Sequence, residues 1–203
     1  MRDFLLKMYY YLKRLPAEKG LHAAAAVALA MLGEEDRMAG SDGLLSGCIR
    51  PEELPCSLLD EKMNPALALG AAMALQTIAD GCVVIAPVDA VRAREEDFPS
   101  LLQLADSMNL PVVFLMEYDE EFAEDLEAQA ALGDIERIQA DSQDAMRLMP
   151  VIRLGIDKAR EGDGPTLIEC VCSDAEERGA DTPAARLADV LISEGFATPE
   201  ELL

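Results

Sequence analysis

The chain has 203 residues, of which 51% are hydrophobic and 28% are charged. This composition is typical of a folded globular protein and excludes an intrinsically disordered one, and the length suits a single domain. Acidic residues number 39 and basic residues 17, so the formal net charge is −22. A surface this negative repels phosphate backbones and anionic membranes, which argues against nucleic acid or a membrane as the partner.

The cysteines show neither disulfide nor zinc-ligand spacing; they are Cys48, Cys56, Cys82, Cys170 and Cys172. We therefore expect buried, reduced cysteines that act as small apolar residues, and a cytoplasmic location. The longest apolar stretches are residues 21–32 and 65–75. Both are shorter than the roughly 18 residues that a bilayer crossing requires, so we expect no membrane span.

Helical patterns dominate the first third of the chain. Apolar residues at three- and four-residue spacing predict an N-terminal helix that ends at Pro16; they are Leu5, Met8, Tyr9 and Leu12. The nearly all-apolar residues 21–32 predict a second helix that is buried on most sides and closed by Gly33. Residues 33–43 predict a polar connection, and Pro51 opens a short helix because its missing N–H costs nothing there.

A further helix is predicted over Pro65–Ile78, and small residues crowd it: Ala66, Gly70, Ala71 and Ala74. Small side chains allow a neighbouring element to approach closely, and that neighbour is either another part of this chain or another subunit. The Asp80-Gly81 pair then predicts a turn that ends the helical part of the chain.

From Cys82 onward, short apolar runs alternate with amphipathic helical patterns, which is the signature of strand–helix–strand units with parallel pairing. The predicted strands are residues 82–87, 112–117, 135–139 and 166–172. The predicted helices are residues 97–108, 121–132, 142–161 and 183–194. We therefore expect an α/β fold with a mostly parallel sheet flanked by helices. It forms one domain over residues 1–203, mainly helical in 1–80 and alternating in 81–203.

Ligands of open parallel sheets bind beyond the carboxyl ends of the strands. Asp89 follows the first predicted strand and Asp119 follows the second. If these strands are neighbours, the two carboxylates converge and, together with a backbone carbonyl, offer oxygen ligands for a hard cation such as magnesium. The alternative is a solvated acidic rim, since acidic residues are frequent throughout this chain.

Several stretches resemble one known family: CVVIAPVDA, LPVVFLMEYD and KAREGDGPTLIECV. They are similar to the α subunit of thiamine-diphosphate-dependent 2-oxo acid dehydrogenases of the pyruvate and acetoin type. The N-terminal helices and the tail DTPAARLADVLISEGFATPEEL follow the family's order as well, so the resemblance covers nearly the whole chain. The chain is nevertheless much shorter than a typical member, and the missing length falls after Leu59, Tyr118 and Cys172.

This resemblance implies the thiamine-diphosphate-binding fold and an oxidoreductase activity. In that activity, the cofactor and magnesium support decarboxylation of a 2-oxo acid and acyl transfer to lipoamide, together with a β-type partner. By position, the cofactor would lie against Val88, Asp89, Ala90 and Tyr118, and the metal against Asp89 and Asp119. The family's Gly-Asp-Gly is here Val88-Asp89-Ala90 and its Asn-Asn is Tyr118-Asp119, so both glycines, which allow close approach to the diphosphate, are replaced.

Other family contacts are missing too. The family's two Tyr-Arg pairs are absent, one from around Ser41-Asp42-Gly43 and one that is replaced by Ser173-Asp174. The catalytic histidines are missing, and His22, the single histidine in the sequence, is interpreted as a helix-start residue. We therefore expect no catalytic residue in this chain.

Two further features have structural and functional interpretations. Gly162-Asp163-Gly164 resembles the cofactor signature but precedes a strand, so we interpret it as a helix cap. Arg92 and Arg94, just after Asp89, are either surface residues or cations positioned to meet a phosphate.

Three functional hypotheses follow. The chain is a reduced α subunit that binds the cofactor, or a non-catalytic pseudoenzyme that keeps the fold and the partner surface. Alternatively, it is a divergent acidic domain that binds a divalent cation at Asp89 and Asp119. The first two imply an oligomer, either with a β-type subunit or with copies of the chain itself.

Overall fold

The computed structural model describes residues 1–14, 22–40, 43–53, 65–78, 81–89, 98–119, 135–172 and 181–203. Its helices are α1 (Arg2–Arg14), α2 (His22–Met31), α3 (Pro65–Ile78), α4 (Phe98–Ser107), α5 (Ala145–Glu161) and α6 (Pro183–Ser193). Short 3₁₀ helices cover Pro51–Glu53 and Pro199–Leu202. Among the helices described, none is both long and apolar enough to cross a membrane.

The described strands form one six-stranded sheet in the order β2-β1-β3-β4-β6-β5. They are β1 (Arg37–Gly40), β2 (Gly43–Ser46), β3 (Val84–Asp89), β4 (Val112–Asp119), β5 (Glu136–Asp141) and β6 (Thr166–Cys172). β1 and β2 pair antiparallel, and every other pairing is parallel. The predicted α/β fold with a mostly parallel sheet flanked by helices is confirmed.

One prediction is wrong: residues 33–43 are not only a polar connection. They contain β1 and the start of β2, so the first eighty residues contribute an antiparallel pair to the sheet in addition to their helices. β1 has only four residues, of which Met38, Ala39 and Gly40 are buried. So short a strand shows no periodicity, and its conformation depends on pairing with β3, which is distant in sequence.

The other predicted elements agree with the structure to within a few residues. Thr166–Cys172 is observed with the predicted bounds, and the strand predicted at 82–87 is observed two residues later, as Val84–Asp89. The helices predicted at 97–108, 142–161 and 183–194 are α4, α5 and α6. The helix predicted at 121–132 lies outside the described residues.

Two apolar cores cover the two faces of the sheet, because successive strand side chains point to opposite faces. Val83, Ile85, Val113 and Leu115 face the core made with α1, α2, α5 and α6. The alternate residues of β3 and β4 face the core made with α3 and α4; they include Val84, Ala86, Val88, Phe114 and Met116. Since β4 is buried on both faces, its sequence is a continuous apolar run rather than an alternating one.

Helix α5, which precedes β6 in the chain, is capped at both ends. Its N-cap is Asp144, whose carboxylate accepts hydrogen bonds from the backbone N–H groups of Met146 and Arg147. Its C-cap is Gly162 at φ 82°, a left-handed conformation that glycine adopts without strain. The interpretation of Gly162-Asp163-Gly164 as a structural cap is therefore confirmed.

Candidate functional site

The carboxyl ends of β3 and β4 lie side by side, which is the condition for a site formed by Asp89 and Asp119. The two strands are parallel neighbours, with Val88 opposite Met116 and Asp89 opposite Glu117. Asp119 lies two residues further along β4, opposite Cys172 of β6. The backbone therefore brings both acidic positions to one edge of the sheet, while the side chains of Asp89 and Asp119 lie outside the described part of the structure.

Val88 and Tyr118, two of the predicted cofactor-binding residues, are part of the apolar core on the α3 and α4 side of the sheet. Val88 is fully buried and Tyr118 is 6% exposed. Burial raises the pKa of the Tyr118 hydroxyl, the nearby Glu169 carboxylate raises it further, and a side-chain hydrogen bond with Gln139 opposes the shift. Both side chains thus pack into this core, and Ala90 lies outside the described residues.

Two buried carboxylates near this end of the sheet were not singled out from the sequence. Glu117 of β4 and Glu169 of β6 are 5% and 6% exposed. An Arg137 guanidinium nitrogen lies 2.6 Å from a Glu169 oxygen, which compensates that charge. The signal that could have found both acids is a glutamate inside an otherwise apolar strand run, as in VVFLME and TLIEC.

The arginines described near the carboxyl ends of the strands are already paired with acids. Arg147 lies 3.5 Å from Asp144 and Arg186 lies 2.6 Å from Asp181. The hydrogen bond from Arg186 lowers the pKa of Asp181, as a neighbouring cation does for a carboxylate. Arg92 and Arg94, which the sequence placed next to a phosphate, lie outside the described residues.

These observations test whether the described residues fit a magnesium diphosphate. A diphosphate needs unpaired cations or closely approaching backbone N–H groups, and the described residues offer buried side chains and compensated arginines. Among the residues that the structure describes, no group of three or more His, Cys, Asp or Glu side chains is arranged to hold a metal ion. The described residues therefore do not fit the group, and magnesium at Asp89 and Asp119 stays a prediction.

The opposite end of the strands contains the most specific match to the family, around Lys158 and Arg160. An Arg160 guanidinium nitrogen lies 2.5 Å from the buried Asp36 carboxylate, which also accepts hydrogen bonds from the backbone N–H groups of Gly33 and Val83. The Lys158 ammonium lies 2.7 Å from a Glu136 oxygen. This match therefore lies in residues that connect α5 to the amino end of the sheet, far from the cofactor position.

The remaining sequence-predicted positions are placed as follows. His22 is the first residue of α2, in agreement with its interpretation as a helix-start residue. Gly43 begins β2, whereas Ser41, Asp42, Ser173 and Asp174 lie outside the described residues. None of these positions brings a further side chain to the carboxyl ends of β3 and β4 within the part that the structure describes.

Comparison with known proteins supports the fold. No protein-family model matches the chain, and no curated protein matches it either. Among solved structures, it is similar to a candidate thiamin diphosphate-dependent enzyme from Mycobacterium smegmatis, with a TM-score of 0.50 and 15% sequence identity. The chain therefore shares its fold with part of this structure. The match covers 78% of this chain but only 32% of the other one, so the chain spans about a third of that protein's length.

Proposed function

We propose that this chain is a non-catalytic, α-type subunit with the thiamine-diphosphate-binding fold, related to the 2-oxo acid dehydrogenases and paired with a β-type partner. The observation that carries the proposal is the burial of Val88 and Tyr118 at the adjacent ends of β3 and β4. By the resemblance, these positions correspond to a glycine and an asparagine of the family's cofactor site. Core side chains there leave the backbone less accessible to a diphosphate.

Electrostatics supports the same conclusion. Asp89 is the last residue of β3, and Glu117 and Asp119 lie at the end of the neighbouring strand β4. The chain that contains these three acids has a net charge of −22. Each lost charged contact to a diphosphate costs about 1.5–3 kcal/mol. Because micromolar binding corresponds to about 8 kcal/mol, the loss of several contacts removes it.

The partner surface that we propose is the outward face of α3. No charged residue occurs in Pro65–Ile78, although 28% of the whole chain is charged. Ala66, Gly70 and Ala74 are exposed, and a Cβ atom built on Gly70 would meet nothing within 4 Å. An exposed helix face of small and apolar residues suits close packing against a helix of another subunit.

The second candidate function is a reduced α subunit that binds magnesium and the cofactor once a partner completes the site. The observation in its favour is Asp89, the one position of the signature that matches the family's acid, at the end of a strand adjacent to Asp119. In that case, the partner subunit supplies the cations that the described residues do not offer to a diphosphate.

Calorimetric titration of the chain with thiamine diphosphate and magnesium tests the proposal. We expect no saturable heat at micromolar concentrations, and saturable micromolar binding to the chain alone would contradict the proposal. A titration with magnesium alone, repeated on the Asp89→Asn/Asp119→Asn variant, distinguishes a metal site from a cofactor site. Magnesium binding that this variant loses would favour a divalent-cation site.

The partner surface is tested separately by Gly70→Leu. We expect this change to leave the fold intact, because position 70 is exposed, and to abolish assembly with a co-expressed β-type chain in light-scattering measurements. Asp157→Leu on the exposed face of α5 is the matched control and should assemble normally. Normal assembly of Gly70→Leu would place the partner surface elsewhere, and self-association lost in Gly70→Leu would identify a homo-oligomer.

A further inference from the structure

A groove of about 710 Å³ lies between the outer face of α1 and the 3₁₀ turn Pro51–Glu53, and it is separate from the carboxyl ends of the strands. Leu6, Tyr10 and Pro51 supply its apolar surface. This volume lies within the range of about 300–1,000 Å³ that is usual for pockets that bind small molecules. The groove is therefore large enough to hold a small ligand.

The walls of the groove are held by hydrogen bonds from α1. The Tyr10 hydroxyl donates to the Glu201 carbonyl at 3.0 Å, and the Lys13 ammonium donates to the Leu202 carbonyl at 2.9 Å. The neighbouring Tyr11 hydroxyl donates to the Ile49 carbonyl at 2.5 Å, which fixes the segment leading into Pro51. Because these side chains are already ordered, a ligand that enters the groove loses less free energy in ordering its walls.

The charge of the groove is distributed unevenly along α1. Lys7, Lys13 and Arg14 line it, so that cations predominate toward the C-terminal end of the helix. Asp3 lines the other end, roughly 16 Å from Arg14 at 1.5 Å per helical residue, and Glu52 of the 3₁₀ turn lines the groove as well, so its lining holds three cations and two acids. Helix α1 contains four cations and one acid, a net charge of +3, in a chain whose net charge is −22. An apolar groove with cations at one end is complementary to a molecule with an apolar body and an anionic head.

We propose that this groove binds a small amphipathic anion, a carboxylate with an aliphatic body. The carboxylate lies against Arg14 at the C-terminal end of α1, and the aliphatic body packs on Leu6, Tyr10 and Pro51. The inference rests on the groove alone and does not depend on the proposed function of the carboxyl end of the sheet.

Calorimetric titration of the full chain with decanoate tests this proposal, with decylammonium as the ligand of matched body and opposite charge. A chain of net charge −22 attracts cations in general, so a preference for decanoate reports the local charge of the groove. We expect saturable decanoate binding with a stoichiometry near one. Decylammonium that binds as tightly as decanoate would overturn the proposal.

Three variants localise the binding. Arg14→Glu should weaken decanoate about tenfold or more, the size expected when a charge-assisted hydrogen bond to a ligand is replaced by repulsion. Arg153→Glu on the exposed face of α5 makes the same change in net charge away from the groove and should leave the affinity unchanged. Equal effects of the two variants would overturn the proposal, as would an unchanged affinity in Tyr10→Ala, which removes one apolar wall.

Discussion

The two ends of the central strands differ in how their charged residues are used. At the amino end, one buried carboxylate, Asp36, accepts hydrogen bonds from two backbone N–H groups and from Arg160. At the carboxyl end, Asp89 and Asp119 are the last residues of the adjacent strands β3 and β4, near the buried Glu117, and Arg147 and Arg186 are paired with other acids. Among the described residues, the amino end is a connected structural network, whereas an acidic rim at the carboxyl end stays a prediction.

The two ends also differ in how closely their residues resemble the family's motifs. Its most specific stretch, around Lys158-Ala159-Arg160, lies at the amino end and connects α5 to the sheet. The residues that would contact a cofactor lie at the carboxyl end, where the sequence departs from the family. A shared fold therefore carries information about structure here, and function has to be argued from the site itself.

The largest expected effect is that of Asp36→Ala at the amino end. The change leaves the buried Val83 N–H without its acceptor and removes the partner of Arg160. Loss of one partner from a buried, hydrogen-bonded ion pair costs about 3–5 kcal/mol. We expect a decrease of this size in the free energy of unfolding, measured by urea denaturation.

The matched control for this substitution is Asp157→Ala. Asp157 pairs with Arg153 at 3.4 Å, and both side chains are exposed. Exposed pairs contribute little, so the free energy of unfolding should change by less than about 1 kcal/mol. Similar losses in the two variants would contradict the structural role assigned to Asp36.

Raising the pH should lower the free energy of unfolding by a smaller amount. The group responsible is Tyr11, which lies near the amino end of the sheet. Burial, followed by the negative charges at Cys48 and Glu52, raises the pKa of Tyr11 to about 12. Because the pKa is raised in the folded state, the protonated hydroxyl stabilises the fold below pH 10, and this contribution is lost between pH 10 and about 12. A shift of two pH units corresponds to about 2–3 kcal/mol.

The difference between the wild type and Tyr11→Phe isolates this contribution from other groups that titrate at high pH. We expect the free energy of unfolding, measured by urea denaturation across this pH range, to fall less steeply in Tyr11→Phe. Parallel slopes in the two proteins would show that Tyr11 ionises without cost to the fold.

The smallest effect is expected at the carboxyl end, from Arg186→Ala. The exposed Arg186 guanidinium donates two hydrogen bonds to Asp181, at 2.8 and 2.6 Å, and lowers its pKa. In the variant, the pKa of Asp181 should rise toward its ordinary value, which a carboxyl NMR titration measures. A loss of stability as large as that of Asp36→Ala would erase the difference between the two ends.

Much of the fold was predictable because its signals are local. The apolar stripe of Ala145, Met149, Ile152, Ile156 and Ala159 predicted α5, and the run VVFLME predicted β4, since periodicity and run length act within one element. β1 was missed because a four-residue strand has too few residues to show a period. That β3 and β4 are neighbours, the condition for Asp89 and Asp119 to converge, is confirmed, whereas the burial of Glu117 and Glu169 was not anticipated.

The sequence by itself determined the class of the fold, the position of most elements and the departure from the family's glycines. Only the tertiary structure decided that β1 adds an antiparallel pair to the sheet, that Val88 and Tyr118 belong to the core, and that Arg160 pairs with Asp36. The physical reason is range: helix and strand patterns depend on neighbours a few residues away. Burial and ion pairing depend on contacts between residues such as Asp36 and Arg160, which are 124 positions apart.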